Sequence, residues 1–149
     1  NLGIVFQDFR LMPDINIYEN VAAPLKIQNY SKKEISLAVS EVLERFELHE
    51  YANSYPDYIS GGEKQRVAIA RAIVHKPELI IADEPTGNLD TVNTQEILTL
   101  LQKINAFGTT IVLVTHNRDI VNALRRRVIT LKDGRVLSDQ AQGKYHLPV

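Results

Sequence analysis

Leu79-Ile80-Ile81-Ala82-Asp83-Glu84 is a run of four apolar residues that ends in two carboxylates. The run does not alternate with polar residues. That pattern predicts a strand buried on both faces, as in a parallel sheet covered by helices. A second unbroken run, Ile111-Val112-Leu113-Val114, follows. Between them, Thr91 to Asn105 sets Ile97, Leu100, Leu101 and Ile104 on one side of a helix, and Gly108 stands where that helix should stop. Strand, helix, strand is a βαβ unit, expected to be right-handed. Downstream, a short helix is expected around Arg118 to Leu124. Val128 to Leu131 and Arg135 to Leu137 then flank Asp133-Gly134, a two-residue hairpin signal.

Upstream of the acidic run the chain turns helical. Ile4-Val5-Phe6 reads as a short strand, followed by a loop through Met12-Pro13-Asp14. Ile17, Val21 and Leu25 recur at four-residue spacing in a helix over 16–28, which Pro24 is expected to disturb. Ser31-Lys32-Lys33-Glu34 has the form of a capping box. It opens a helix whose apolar face carries Ile35, Ala38, Val39, Val42, Leu43 and Phe46. Residues 49–59 are loop-like, and Ser60-Gly61-Gly62-Glu63 opens a further helix that Pro77 terminates. The fold expected is therefore α/β, with a mostly parallel sheet. A helical subdomain occupies about residues 8–76 and an α/β half about 77–149.

Composition narrows the classes. The 149 residues are 44% hydrophobic and 23% charged, which suits one globular domain. Seventeen basic residues nearly balance 18 acidic ones, for a formal net charge of -1. That balance gives no overall pull toward nucleic acid or anionic lipid, and no nucleic-acid partner is expected. With no cysteine, disulfides and thiolate metal sites are excluded. The apolar runs are too short to span a bilayer, so a membrane role is expected to go through a partner. Asn1 opens directly on an apolar run, which reads as a domain entered partway.

Four places carry possible chemistry. Asp83 and Glu84 lie where ligands of open α/β sheets bind, beyond the carboxyl end of a strand. One carboxylate can hold Mg²⁺ while the other faces an attacking water; the plainer reading is an acidic loop. Ser60, Gly61 and Gly62 place bare amides and a hydroxyl at a helix N-terminus, which favours an anion. Ser-x-x-Glu is also sufficient as a plain helix cap. His116 follows the second buried run and can donate to a phosphate oxygen near neutral pH, or simply be a polar loop residue. Gln7, after the first strand, offers an amide carbonyl to a cation or a water.

In order, these features resemble the nucleotide-binding domain of the ABC ATPases, a branch of the P-loop NTPases. Val5-Phe6-Gln7-Asp8 matches the family's Q-loop. Ile59-Ser60-Gly61-Gly62-Glu63 matches its Leu-Ser-Gly-Gly-Gln signature, with Ile for Leu and Glu for Gln. Leu79 to Glu84 matches the Walker B strand and catalytic glutamate. Gly87-Asn88-Leu89-Asp90 matches the D-loop, and His116 the switch histidine. Asp83-Glu84-Pro85-Thr86-Gly87-Asn88-Leu89-Asp90 is similar to the branch that holds lipoprotein-release, macrolide-efflux and cell-division ATPases. Val5 to Leu11, Thr115-His116-Asn117 and the stretch from Arg125 to Arg135 resemble its cell-division members most.

The resemblance implies an ATPase that uses ATP and Mg²⁺, in head-to-tail homodimers, on the cytoplasmic face of the bacterial membrane beside an integral membrane subunit. It implies Asp83 and Gln7 at Mg²⁺ and Glu84 as general base. His116 would lie at the γ-phosphate, and Gln7 would sense metal and water. Ser60, Gly61, Gly62 and Glu63 would meet the partner subunit's ATP, with Asp90 at the seam. The family's phosphate loop, Gly-x-x-x-x-Gly-Lys-Ser/Thr, has no match in this sequence, and the adenine-stacking aromatic is also expected upstream of Gln7. The chain alone is therefore expected to be inactive, and an interaction module without catalysis is the alternative reading. Structural-maintenance ATPases share the signature, but place a long coiled coil between Q-loop and signature that the stretch from Gln7 to Ser60 does not contain. The apolar stretch Phe9 to Tyr18 is expected either to seat a helix of the membrane subunit or to pack the helical insert onto the α/β half.

Overall fold

Apolar β-branched residues dominate both predicted strands, and parallel pairing without a slip is what they form. In a computed structural model that describes residues 1–143, β1 (Leu2–Val5), β2 (Leu79–Asp83) and β3 (Thr110–Val114) make a three-stranded parallel sheet in the order β1-β2-β3. Leu2 pairs with Leu79 and Val5 with Ala82; Leu79 pairs with Thr110 and Asp83 with Val114. Residues 144–149, the end of the expected α/β half, lie outside the described residues.

The chain divides into two compact units, Asn1–Val114 and Thr115–Val149. The first holds both the parallel sheet and the helices α1 (Ile17–Ile27), α2 (Lys32–Arg45), α3 (Gly61–Ile73) and α4 (Thr91–Ala106). Asn16, Ser31, Ser60 and Asp90 cap these four helices, and Ser31 and Ser60 form full capping boxes with Glu34 and Glu63. Helix α1 runs on through Pro24. The ring forgoes one backbone bond there, and burial of Ile17, Val21, Ala22 and Leu25 on its inner face outweighs the loss. Helix α3 lies over β1: an atom added at Gly3 would run into the backbone of Ala72. Two short 3-10 turns, His49–Tyr51 and Pro56–Tyr58, break up the stretch expected to be loop.

The expected burial of both sheet faces is corrected by the structure. Gly3, Val5, Ile80 and Ala82 lie under the helices and are buried. The opposite face is open, with Leu2 at 45%, Ile4 at 41%, Val112 at 46% and Val114 at 47% exposure. Along β3 even the inward residues Ile111 and Leu113 are half-buried. An unbroken apolar run requires cover on both sides, and the first unit supplies helices for one.

The second unit begins with α5 (Arg118–Leu124), capped by Asn117, and continues into a hairpin of β4 (Val128–Lys132) and β5 (Arg135–Gln140). Asp133 and Gly134 turn the chain with φ of 50° and 73°, the left-handed pair that a tight hairpin needs. Of the three consecutive arginines, Arg127 bonds Asp139 through two nitrogens at 2.9 and 2.7 Å. That contact raises the Arg127 pKa and lowers that of Asp139.

The two sheet faces should respond differently to truncation. Ile80→Ala, on the fully buried side, is expected to cost about 2–5 kcal/mol in urea unfolding. Val112→Ala, on the open side, should stay within about 1 kcal/mol of the parent. Equal losses would show that the open face is covered in solution.

Candidate functional site

All three parallel strands end at one edge, and Asp83, Glu84 and Gln7 lie at or just past the ends of two of them. Asp83 is the last residue of β2 and is exposed. Glu84 follows, half-buried, with a positive φ of 44°. Its amide donates to Val114 O at 2.9 Å, and its carbonyl accepts from Gly87 N at 3.0 Å. A glutamate in the left-handed region costs conformational energy. These two bonds hold it there, so the side chain leaves the strand on a different line from Asp83.

Gln7 stands two residues beyond the end of β1 and is exposed. Its Nε2 donates to Asn88 Oδ1 at 3.4 Å, and Asn88 Nδ2 donates to Gln7 O at 3.3 Å. A side chain at Gly87 would meet Gln7 Nε2 at 2.5 Å and Cδ at 2.9 Å, so the Gln7 amide lies close against this turn and would have to shift to admit one. The structure thus brings Gln7 onto the turn that follows Asp83 and Glu84.

The N-terminus of α3 forms a second cluster. Glu63 N donates to Ser60 Oγ at 3.2 Å, and Ser60 N donates to Glu63 Oε2 at 2.7 Å. Burial pushes the Glu63 carboxyl up. Bonds from the Ser60 amide, the Tyr51 hydroxyl and the Ser60 side chain, with the nearby Arg66 charge, outweigh that and leave it below its usual value. The same contact raises the Tyr51 hydroxyl. Turned back on Ser60, the Glu63 carboxylate leaves the first-turn amides, which have no intrahelical acceptor, to Gly61 and Gly62. Gly61 lies by Leu89, and the Asn93 side chain lies against Gly62. Asp90 positions that asparagine: Asp90 Oδ1 accepts from Asn93 N at 2.9 Å and Oδ2 from Asn93 Nδ2 at 2.7 Å. Asp90 is thereby the cap of α4 and a neighbour of the Ser60-Gly61-Gly62 turn. His116 is exposed and belongs to the second unit.

The residues that assemble these clusters are ones the sequence did not single out. Arg71, on α3, donates to Phe9 O at 2.9 Å and to Arg10 O at 2.7 Å. Both residues have positive φ, 62° and 47°, so a guanidinium satisfies carbonyls that the turn leaves over. Burial lowers the Arg71 pKa. Asn20, fully buried, accepts from Met12 N at 2.8 Å and donates to the carbonyls of Met12, Ile15 and Asn16. Ile17 is buried, and Leu11 and Tyr18 pack on the core, while Met12 is 39% exposed. The free apolar surface of the Phe9–Tyr18 stretch is therefore smaller than its composition implies. Among the described residues no group of three or more His, Cys, Asp or Glu could hold a metal. Asp83, an exposed carboxylate at the end of β2, is the kind of donor Mg²⁺ takes, since that ion needs only one or two carboxylates beside phosphate oxygens and water.

The ABC transporter family profile matches residues 1–87. The cell division ATP-binding protein FtsE of Streptococcus pneumoniae (strain R6) is 49% identical over 145 residues, 97% of this chain and 63% of that protein. The methionine import ATP-binding protein MetN 1 of Listeria innocua is 42% identical over 137 residues, 91% of this chain and 40% of its own length. A solved structure, the ATP-binding cassette MJ0796 as a post-hydrolysis dimer bound to ADP and Pi, superposes with a TM-score of 0.81 at 39% identity. That match covers 97% of this chain and 64% of the other. The chain spans less than two thirds of the length of the curated relatives it matches.

Two measurements test this geometry. Arg71→Ala is expected to cost about 1.5–3 kcal/mol, the range for hydrogen bonds to a charged group, and to speed hydrogen exchange across Phe9–Met12; unchanged exchange would show that the loop is held otherwise. The bond from Asn93 N chiefly holds the Asp90 carboxyl below its usual value. Its contribution to stability is then present above the ordinary aspartate pKa of about 4 and lost as pH falls through the lowered folded value. The melting-temperature gap between parent and Asp90→Ala should accordingly close on acidification.

Proposed function

Because this chain belongs to the ABC transporter family, we propose that a protein of its relatives' full length is the ATP-hydrolysing subunit of an FtsE-like membrane complex. What supports this reading is the edge where Gln7 closes onto the turn after Asp83 and Glu84. Hydrolysis needs a base beside a metal-facing carboxylate, and two adjacent residues leaving β2 on different lines supply both. Glu84 would take the proton of the attacking water. Asp83 and the Gln7 amide oxygen would hold Mg²⁺, which when bound neutralises charge on the phosphates. His116 would donate to the γ-phosphate.

The cluster at α3 serves a second copy. Gly61 and Gly62 amides, with the Ser60 hydroxyl, would receive the γ-phosphate of ATP held by the partner subunit. Glu63 would keep the turn closed, and Asp90, holding Asn93 over Gly62, would face the seam. This is a head-to-tail homodimer whose opening and closing moves an FtsX-like integral membrane subunit. No helix of the described residues is long and apolar enough to cross a membrane, so a cytoplasmic-face location would be held through that partner. Met12, the exposed apolar residue beside Gln7's loop, is where a helix of that subunit would rest. The reading toward cell division rests on 49% identity to an FtsE against 42% to a MetN.

Three outcomes are expected. In the full-length protein, Glu84→Gln should retain ATP binding and lower turnover by about 10²–10⁴-fold, the usual contribution of a general base; turnover at the parent rate would place the base elsewhere. The 149-residue chain has no Gly-x-x-x-x-Gly-Lys-Ser/Thr stretch. It should show no micromolar affinity for Mg-ATP by titration calorimetry. Met12→Glu should weaken co-purification of the membrane subunit with basal ATPase intact, and undiminished recovery would move the docking surface off this loop.

A further inference from the structure

Gln65 lies on α3, five residues beyond Ser60, and its side chain is fully buried. Its Nε2 donates to Pro85 O, one residue after Glu84, and more weakly to Phe6 O at 3.5 Å, one residue before Gln7. One amide therefore touches the backbone beside Glu84 and the backbone beside Gln7. Its Oε1 is buried with no hydrogen-bond partner among the described residues. An unsatisfied buried carbonyl is a cost to folding that an apolar side chain of equal size would avoid. Packing alone therefore does not account for a glutamine here; its donors do.

We propose that Gln65 is a positioning residue that couples the Ser60-Gly61-Gly62 turn to the placement of Glu84 and Gln7. Five residues of helix span about 7.5 Å, and α3 carries Ser60 at one end of that lever and the Gln65 amide at the other. A phosphate drawn onto the Gly61 and Gly62 amides shifts the helix. Gln65 passes that shift to the carbonyls of Pro85 and Phe6, and so to the side chains next to them. The γ-phosphate bound by one subunit's α3 would in this way set the general base of that same subunit, linking the two sites of a dimer. The inference rests on the function proposed above for α3 and Glu84.

The test uses the full-length ATPase with Gln65→Met, which keeps the volume without the amide, and Gln65→Glu, which keeps the shape without the donors. Expected for Gln65→Met is a protein that still folds, the lost donor to Pro85 O being offset in part by removal of the unpartnered Oε1, with an ATP dissociation constant within about threefold. Its kcat should fall about 10–100-fold, the scale of a sub-ångström to 1 Å misplacement, and the Hill coefficient for ATP should drop to 1. Gln65→Glu should lose kcat and cooperativity in the same way. Parent-like kcat and Hill coefficient in a folded variant overturn the proposal, as does a parent enzyme that hydrolyses ATP without cooperativity. If both variants unfold, Gln65 is a packing residue and the proposal fails. A parent protein with no ATP turnover overturns the functional reading itself, an outcome visible before any variant is made.

Discussion

Parallel pairing in strict register is the constraint on which the first unit depends. Side chains alternate along a strand, so a slip of one residue between β1 and β2 would exchange their faces. Ile80 and Ala82 would turn outward and Leu79 and Ile81 would turn under the helices. The same slip would carry Gln7 away from the turn after Glu84. Because Val5 pairs with Ala82 and Asp83 with Val114, the apolar face and the polar edge are fixed together. Burial of Val5, Ile80 and Ala82 thus specifies where the carboxylates leave the sheet. The hydrophobic term is non-directional, yet through the pleat it sets the position of the charged groups that follow β2.

Helix α3 then acts as the common support. Its first turn offers amides, its middle holds Pro85 and Phe6 through Gln65, and its last turns hold Phe9 and Arg10 through Arg71. Those contacts are side chain to backbone across long sequence separations. They bind irregular segments that have no ladder of their own, and buried or strained backbone groups need such partners. Arg71 answers two left-handed residues in succession, and the bonds from Val114 and Gly87 answer a third at Glu84. At these three residues the strained backbone is held by contacts from neighbouring rigid elements.

How much of this was legible in the sequence depends on the range of the interaction. Helix starts at Ser31 and Ser60 and the turn at Asp133-Gly134 are encoded within four residues, and they appear where the sequence places them. Gln7, Ser60, Gly61, Asp83 and Glu84 could be picked out as candidates because each stands near the end of a strand or the start of a helix, and the structure places them there. Gln65, Arg71 and Asn20 were not. A polar residue inside an amphipathic helix reads as solvated, and only the fold shows that these three face inward to loops some distance away in sequence. Pro24 reads as a break, but its cost is local and the burial of α1 is collective. The apolar runs at β2 and β3 state what a covered sheet requires, not whether the first unit itself supplies both covers.

The order of the strands along the chain has a temporal consequence. Val5 ends β1 and Leu79 begins β2, so residues 6–78 intervene, whereas only residues 84–109 separate β2 from β3. Closing the longer interval costs on the order of 4 kcal/mol of chain entropy on the logarithmic scaling, before any constant. At about 5–20 residues per second of synthesis, β1 leaves the ribosome roughly 4–15 seconds before its neighbour is made. In that interval Leu2, Ile4 and Val5 form a β-prone segment without its β2 neighbour. The packing of α3 over β1 can form first, since α3 is complete by Ile73. The helix that Ser60 caps would then also cover β1 until β2 is made.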